Sequence, residues 1–444
     1  MKVKSKILIS GICLMNISIT IKAQVQDNIW TLQKCIDYAL EQNISIQKSV
    51  LTNQADLVNL ELSKAARFPS VNASVSQNFD WSRSLDNNQE FGSYAGTSGT
   101  NYGINSGVKL YNGFKLQNSI RQNDMGLKAS QEDIEALKES TSLNVLNAYL
   151  QVLYAKESVN NSEKQIVATT DQLRLAEERL DLGAISKSDY LQVKSELASE
   201  KLTLANAQSL LTINKVSLMQ LMELPVSANF DIEYPDLSGM IFQIKNPDVD
   251  SVYQLALTYR PEIKSAELNR QVGELSVNIA KSAYQPSLSL SGGISTNYSS
   301  NTNLNYDYQV KNKITPYLGL SLAIPIYQNR EARSGVQLAK INSESAHLSE
   351  KDVKNQLRKS IEQACTDVLT AQTKYNASVE QFASLEEAYL VAEEKYNQGL
   401  INSIDFLIQK TNYINGESQL LQSKYNLVFS MKILDYYQGK TLTI

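Results

Sequence analysis

The residues best placed to do chemistry are two aspartates at the same point of a repeated motif. EERLDLGAISKSDYLQ, residues 177–192, returns as EEKYNQGLINSIDFLI, residues 393–408. Each stretch opens on paired glutamates, carries one glycine in its middle, and sets an aspartate, Asp189 or Asp405, six residues beyond that glycine. A carboxylate that lines a narrow opening attracts cations and repels anions. A carboxylate in the first turn of a helix is favoured there by the helix dipole. Both roles suit these two residues, and neither is catalysis. The chain has no P-loop, no G-x-S-x-G and no H-E-x-x-H. Its one histidine, His347, argues against a histidine relay or a histidine-based metal centre. Carboxylates scattered over helix surfaces do not make a catalytic pair. An enzyme is therefore not expected, nor is any catalytic, cofactor or metal residue.

Composition narrows the class further. The 444 residues are 42% hydrophobic with 18 glycines and 8 prolines, a balance that folds. The formal charge of −4 gives no reason to expect nucleic acid as a partner. Residues 1–23 have Lys2, Lys4 and Lys6, then an apolar run from Ile7 to about Ile21, then Lys22-Ala23. That is the pattern of a cleaved signal peptide, too short and wrongly flanked for a spanning helix. Its removal takes four lysines and no acids, leaving a formal charge of −8. Cys13 lies inside the apolar run after Ile12, where a lipid-attachment cysteine would follow a small residue. Cys35 and Cys365 fall in helix-like patterns far apart, and read as two small buried side chains rather than a disulfide. No segment after the leader has the ~18 consecutive apolar residues of a transmembrane helix.

The motif repeats because the chain does. At offsets of 216 or 217, CIDYALEQNISIQKS corresponds to SVYQLALTYRPEIKSA, Pro69 to Pro286 and Tyr111 to Tyr327. Two halves, 24–224 and 248–444, flank a proline-containing linker, 225–247. Leu127–Leu182 and Val336–Gln398 contain neither glycine nor proline, enough for helical rods of roughly 85–95 Å. Val145, Val152, Val159, Ile166, Leu173 and Leu180 are spaced by seven, and Ile361 through Tyr396 repeat the stripe. Tyr190 to Leu218 and Phe406 to Leu434 answer it after each turn, as coiled-coil packing requires. Each half thus holds a long antiparallel helical hairpin with the quoted motif at its tip. Gly183 and Gly399 end the incoming helices, and Ser186 and Ser403 are expected to cap the returning ones.

The remaining segments alternate with period two. Strands are expected at about 70–82, 101–111, 287–298 and 314–326, apolar on one face and small polar on the other. Their length is close to the ~9–11 residues with which a tilted strand crosses a bilayer. Polar loops, 83–100 and 299–313, close the two hairpins. A soluble sandwich with one wet face also fits this periodicity. A membrane sheet, by contrast, must close on itself, and four strands cannot. Two copies would give eight strands packed solid and three would give twelve around a channel.

Signal peptide, duplicated halves, a helix–strand–strand–hairpin order in each and tips of the form G-x-x-S-x-x-D in the first half and G-x-x-N-x-x-D in the second together resemble the TolC-like outer-membrane efflux protein family. The likeness covers nearly all of the chain after the leader. It implies an α+β membrane protein of long coiled-coil hairpins forming an α-barrel, with four transmembrane strands per chain completing a 12-stranded barrel in a homotrimer. It implies residence in the outer membrane of a diderm bacterium, with a large periplasmic portion. It further implies export together with a periplasmic adaptor (membrane fusion) protein and an inner-membrane efflux pump or secretion transporter. A periplasmic coiled-coil scaffold without a pore is the alternative, and it has no need of the four alternating segments.

The resemblance also assigns residues. Asp405 matches a position of the family's carboxylate ring, Tyr396 its gate tyrosine, and Asp189 that tyrosine's aspartate partner in the first tip. Ile408 stands where a second ring carboxylate is found, and Ile401 where a basic locking residue is found. Leu400 and Ile401 are therefore expected to hold the gate by apolar contact. Leu182, Gly183, Ser186, Gly399, Leu400 and Ser403 match the tip surface that meets adaptor hairpins.

Overall fold

The structure is a computed structural model that describes residues 29–83, 91–227, 229–234 and 248–440. The leader expected at 1–23 lies outside the described residues. The duplication seen in the sequence is exact in the lengths of the hairpin helices. Helix α3 (Lys115–Asp181) and helix α8 (Glu331–Asn397) each have 67 residues, and their return helices α4 (Lys187–Leu221) and α9 (Ser403–Tyr437) each have 35. At 1.5 Å per residue the long helices reach about 100 Å. They begin earlier than their glycine-free stretches suggest, because Gly126 and Gly335 are carried inside them. A lone glycine costs a helix about 1 kcal/mol, which packing along such a rod readily offsets.

Each half opens with a shorter helix pair. These are α1 (Leu32–Gln42) and α2 (Ile44–Ala65) in the first half, α5 (Val249–Tyr259) and α6 (Pro261–Lys281) in the second. Helices α2 and α6 pack along the N-terminal parts of α3 and α8, while α4 and α9 return along their C-terminal parts. Two apolar clusters sit at the midpoint. One gathers Cys35 and Ile36 of α1, Val145, Tyr149 and Val152 of α3, and Leu218 of α4. The other gathers Val252 and Ala256 of α5 with Ile361, Cys365 and Val368 of α8. The cysteines are thus unpaired and buried in separate cores, and burial pushes the Cys35 thiol up to about 12. Residues expected to be a plain linker do structural work: β4 (Asp231–Ile232) lies parallel to β1 (Ile29–Trp30) and closes the first cluster.

The other four strands form one antiparallel sheet, β2 (Ser70–Ser82), β3 (Ala95–Asn112), β5 (Ser287–Ser299) and β6 (Thr315–Ala323), in that spatial order. Strand β3 extends into the expected polar loop, β6 stops at Ala323, and the loop between β5 and β6 folds into a short helix, α7 (Tyr306–Asn312). The register aligns the apolar face across all four strands, with Ala73 opposite Ile104, Ile104 opposite Ile294, and Leu290 opposite Leu320. Most of that face is open, with Trp81 70% exposed and Leu318 80%, while Tyr306 of α7 packs against Tyr298 at one end. Among the described residues no second long sheet covers it, unlike the two stacked layers of a sandwich. The sheet enters the helices through paired left-handed residues, Gly113–Phe114 before α3 and Asn329–Arg330 before α8.

Candidate functional site

The two hairpin tips stand side by side at the far end of the helices. Both incoming helices stop in the same way. Gly183 has φ +69° and donates its N–H to the Leu180 carbonyl (2.9 Å), while Ala184 donates to Arg179 (2.8 Å). Gly399, φ +73°, repeats this with Tyr396 (3.0 Å), and Leu400 with Lys395 (2.8 Å). These are Schellman motifs, which need a residue tolerant of the left-handed region at the position of each glycine.

The returning helices start differently from one another. Ser186 caps α4 in a reciprocal box: its Oγ accepts from the Asp189 N–H (3.1 Å), and Asp189 Oδ2 accepts from the Ser186 N–H (3.3 Å) and hydroxyl (2.7 Å). At the second tip the cap is Asn402, whose Oδ1 accepts from the Asp405 N–H (2.9 Å). Ser403, expected to be that cap, is instead the first residue of α9. It is buried, and donates its hydroxyl to Asp189 Oδ1. Asn is as good a cap as Ser, so the cap shifts by one position and frees Ser403 to cross between hairpins.

Asp189 therefore holds both oxygens engaged, one within its own tip and one in the other. Hydrogen bonds from Ser403, then from Ser186, hold its carboxyl below the usual carboxylate range. The Tyr396 ring stacks on Phe406 at 4.7 Å, and the Arg179 guanidinium lies 5.8 Å from its centroid. Arg179 also donates to the Asn397 carbonyl (3.3 Å), a second link between tips. Burial raises the Tyr396 hydroxyl, against the opposing pull of Arg179. Asp405 is exposed in a groove with Lys395, Ile401 and Ile408. Leu182 is 83% exposed and Leu400 68%, while Ile401 is half-buried. The structure thus brings Asp189, Ser186 and Ser403 together, sets Tyr396 on Phe406, and leaves Asp405 open.

Further up the hairpins lies a feature the sequence reading missed. Lys410 of α9 is fully buried, with its Nζ 3.1 Å from Glu200 Oε1, 3.3 Å from Gln172 Oε1, and donating to Thr169 Oγ1. Thr169 in turn donates to Glu200 Oε1 (2.7 Å). This pins α9 to α3 and α4. A signal was present: Val193, Glu200 and Ala207 are spaced by seven, as are Ser403, Lys410 and Glu417. A charge in a buried heptad stripe has to find a partner across it.

Comparison with known proteins matches this architecture. The pattern of the outer membrane efflux protein family fits residues 35–223 and 252–435. The chain is 20% identical to the toxin and drug export protein A of Aggregatibacter actinomycetemcomitans, over 92% of this chain and 88% of that one. It is 23% identical to the cation efflux system protein CusC of Escherichia coli, over 88% and 82%. The CmeC outer membrane channel of Campylobacter jejuni superposes with a TM-score of 0.78 at 22% identity, covering 93% of this chain and 86% of that one.

Proposed function

The chain belongs to the outer membrane efflux protein family and is an outer-membrane efflux channel, and from that premise we propose that it works as a homotrimeric channel-tunnel docked to a periplasmic adaptor and an inner-membrane pump or secretion transporter. One observation carries this reading. The sheet has four strands, a largely uncovered apolar face, and two edge strands, β2 and β6, whose outer sides have no neighbour among the described residues. In lipid such edges must be paired, so copies of the chain close the sheet, and three copies give a twelve-stranded barrel wide enough for a channel. The 100 Å hairpins then continue the passage across the periplasm.

Six tips would meet at the periplasmic end of that trimer. Asp405, open at its tip, supplies a ring of three carboxylates that selects for cations in a narrow entrance. Tyr396 and Asp189 brace the tips, and Ile401 with Leu400 forms the apolar part of the constriction. The exposed Leu182 and Leu400, beside Gly183, Ser186 and Gly399, suit contact with apolar residues of an adaptor hairpin, whereas Ser403, expected on that surface, is buried against Asp189.

Single-channel conductance in planar bilayers tests this directly. Wild type should carry a small, cation-selective current, and Asp405→Ala should enlarge it and weaken the selectivity. If the mutant matches wild type while the current persists, the gate lies elsewhere, at Leu400 and Ile401, where Ile401→Arg should alter conductance. Well-folded protein with no current would overturn the channel.

A further inference from the structure

We propose that the junction between the sheet and the long helices binds anionic phospholipid headgroups of the membrane's periplasmic leaflet, through exposed basic side chains centred on Arg330. The inference rests on the outer-membrane residence of the sheet, not on the tips or their partners. Charge is scarce in the sheet itself: β2 carries Asp80, β3 carries Lys109, and β5 and β6 carry none. It is concentrated where strands give way to helices. Residues 64–69, 113–117, 281–286 and 327–333 hold Lys64, Arg67, Lys115, Lys281, Arg330 and Arg333 against one acid, Glu331. All six basic residues are exposed, and among the described residues none of their side chains makes an ion pair or a hydrogen bond.

The helices do not account for this charge. A helix dipole favours cations at the C-terminus, where Lys64 and Lys281 stand, and disfavours them at the N-terminus. Yet Lys115 opens α3, Arg330 is the N-cap of α8, and Arg333 lies in the first turn of α8. The repeat gives the direction in which Arg330 points. At an offset of 216 it corresponds to Phe114, and the two share one left-handed backbone conformation, φ +67° and ψ +2° against φ +63° and ψ +13°. Phe114 meets Tyr111 edge-on at 5.6 Å, and Tyr111 pairs with Leu288 on the apolar face of the sheet. Arg330 leaves the backbone in the same way, close in sequence to Tyr327, the counterpart of Tyr111, which is 81% exposed. Aromatic side chains collect where hydrocarbon gives way to water, so Arg330 stands at headgroup depth on the rim of the lipid-facing surface. Basic side chains at that depth attract anionic lipid. Lys109, which pairs with Ser289 on the opposite, polar face, takes no part.

Spin-labelled lipids test this with the full-length protein reconstituted in phosphatidylcholine bilayers. Electron spin resonance measures how strongly labelled phosphatidylglycerol and labelled phosphatidylcholine each associate with the protein. Phosphatidylglycerol is expected to associate about threefold more strongly at low salt, and the preference should fade as salt rises to about 0.5 M. Arg67→Gln/Arg330→Gln/Arg333→Gln should bring the two lipids to parity, and Arg330→Gln alone should carry the preference part of the way down. Lys351→Gln/Lys359→Gln/Lys374→Gln, a matched loss of exposed charge on α8 away from the sheet, should keep the wild-type preference. The readout needs no current, so it stands or falls apart from the gate. Parity of the two lipids in wild type, a preference untouched by the Arg330 variants, or one lost equally in the α8 control would each overturn the proposal.

Discussion

Ser403, the first residue of the second returning helix, donates its hydroxyl to the carboxylate of Asp189, 214 positions earlier in the chain. The two tips of one chain are therefore linked through that carboxylate.

This link is pH-dependent in a known direction. The folded carboxyl of Asp189 lies below its ordinary value of 3.8. Its contribution is therefore complete above about pH 3.8 and is lost as pH falls through the depressed folded value. Spin labels at exposed positions 182 and 400 should give a narrow distance distribution at neutral pH that broadens only below pH 3.8, the buried Cys35 and Cys365 staying unlabelled. Ser403→Ala should broaden it at every pH, at a stability cost of roughly 1 kcal/mol. An unchanged distribution in both cases would mean that the tips are held by other contacts, Arg179 to Asn397 first among them.

Lys410 and Glu200 form the most buried charge pair of the hairpin region, with side chains 1% and 8% exposed. Lys410→Met strands the Glu200 charge and is expected to cost about 3–5 kcal/mol. Lys410→Met/Glu200→Leu removes both charges and should recover most of that loss. Thermal melting of wild type, Lys410→Met, Glu200→Leu and the double variant measures the coupling as a double-mutant cycle. Additive losses would show that the pair is not coupled.

The tip glycines face open space, with nothing within 4 Å of an added Cβ, so a substitution there tests the backbone alone. With φ at +69° and +73°, Gly183→Ala and Gly399→Ala should each cost about 1–2 kcal/mol. The loss should be local. Amide exchange at Ala184 and Leu400, whose N–H groups close the two Schellman motifs, should quicken, while Val145 and Ile361 in the midpoint cores stay protected. Unchanged exchange at both tips would mean that alanine takes up the left-handed conformation without strain.

The sequence by itself determined the elements and their repetition. Period seven in the Val145 and Ile361 stripes, period two in β2, and glycines at 183 and 399 are local signals, and each dictates its conformation wherever the chain goes. The motif at the tips was legible for the same reason. What remained was settled only by packing. Asn402 displaced Ser403 as the cap because two good capping residues were adjacent, and the contact with Asp189 decided between them. Lys410 looked like any surface lysine until α9 lay against α3 and α4. Residues 231–232 passed for linker until Trp30 and its cluster gave them a strand to pair with. Periodicity is written in neighbouring residues, whereas a hydrogen bond across 200 positions exists only once the hairpins that carry its two ends have docked.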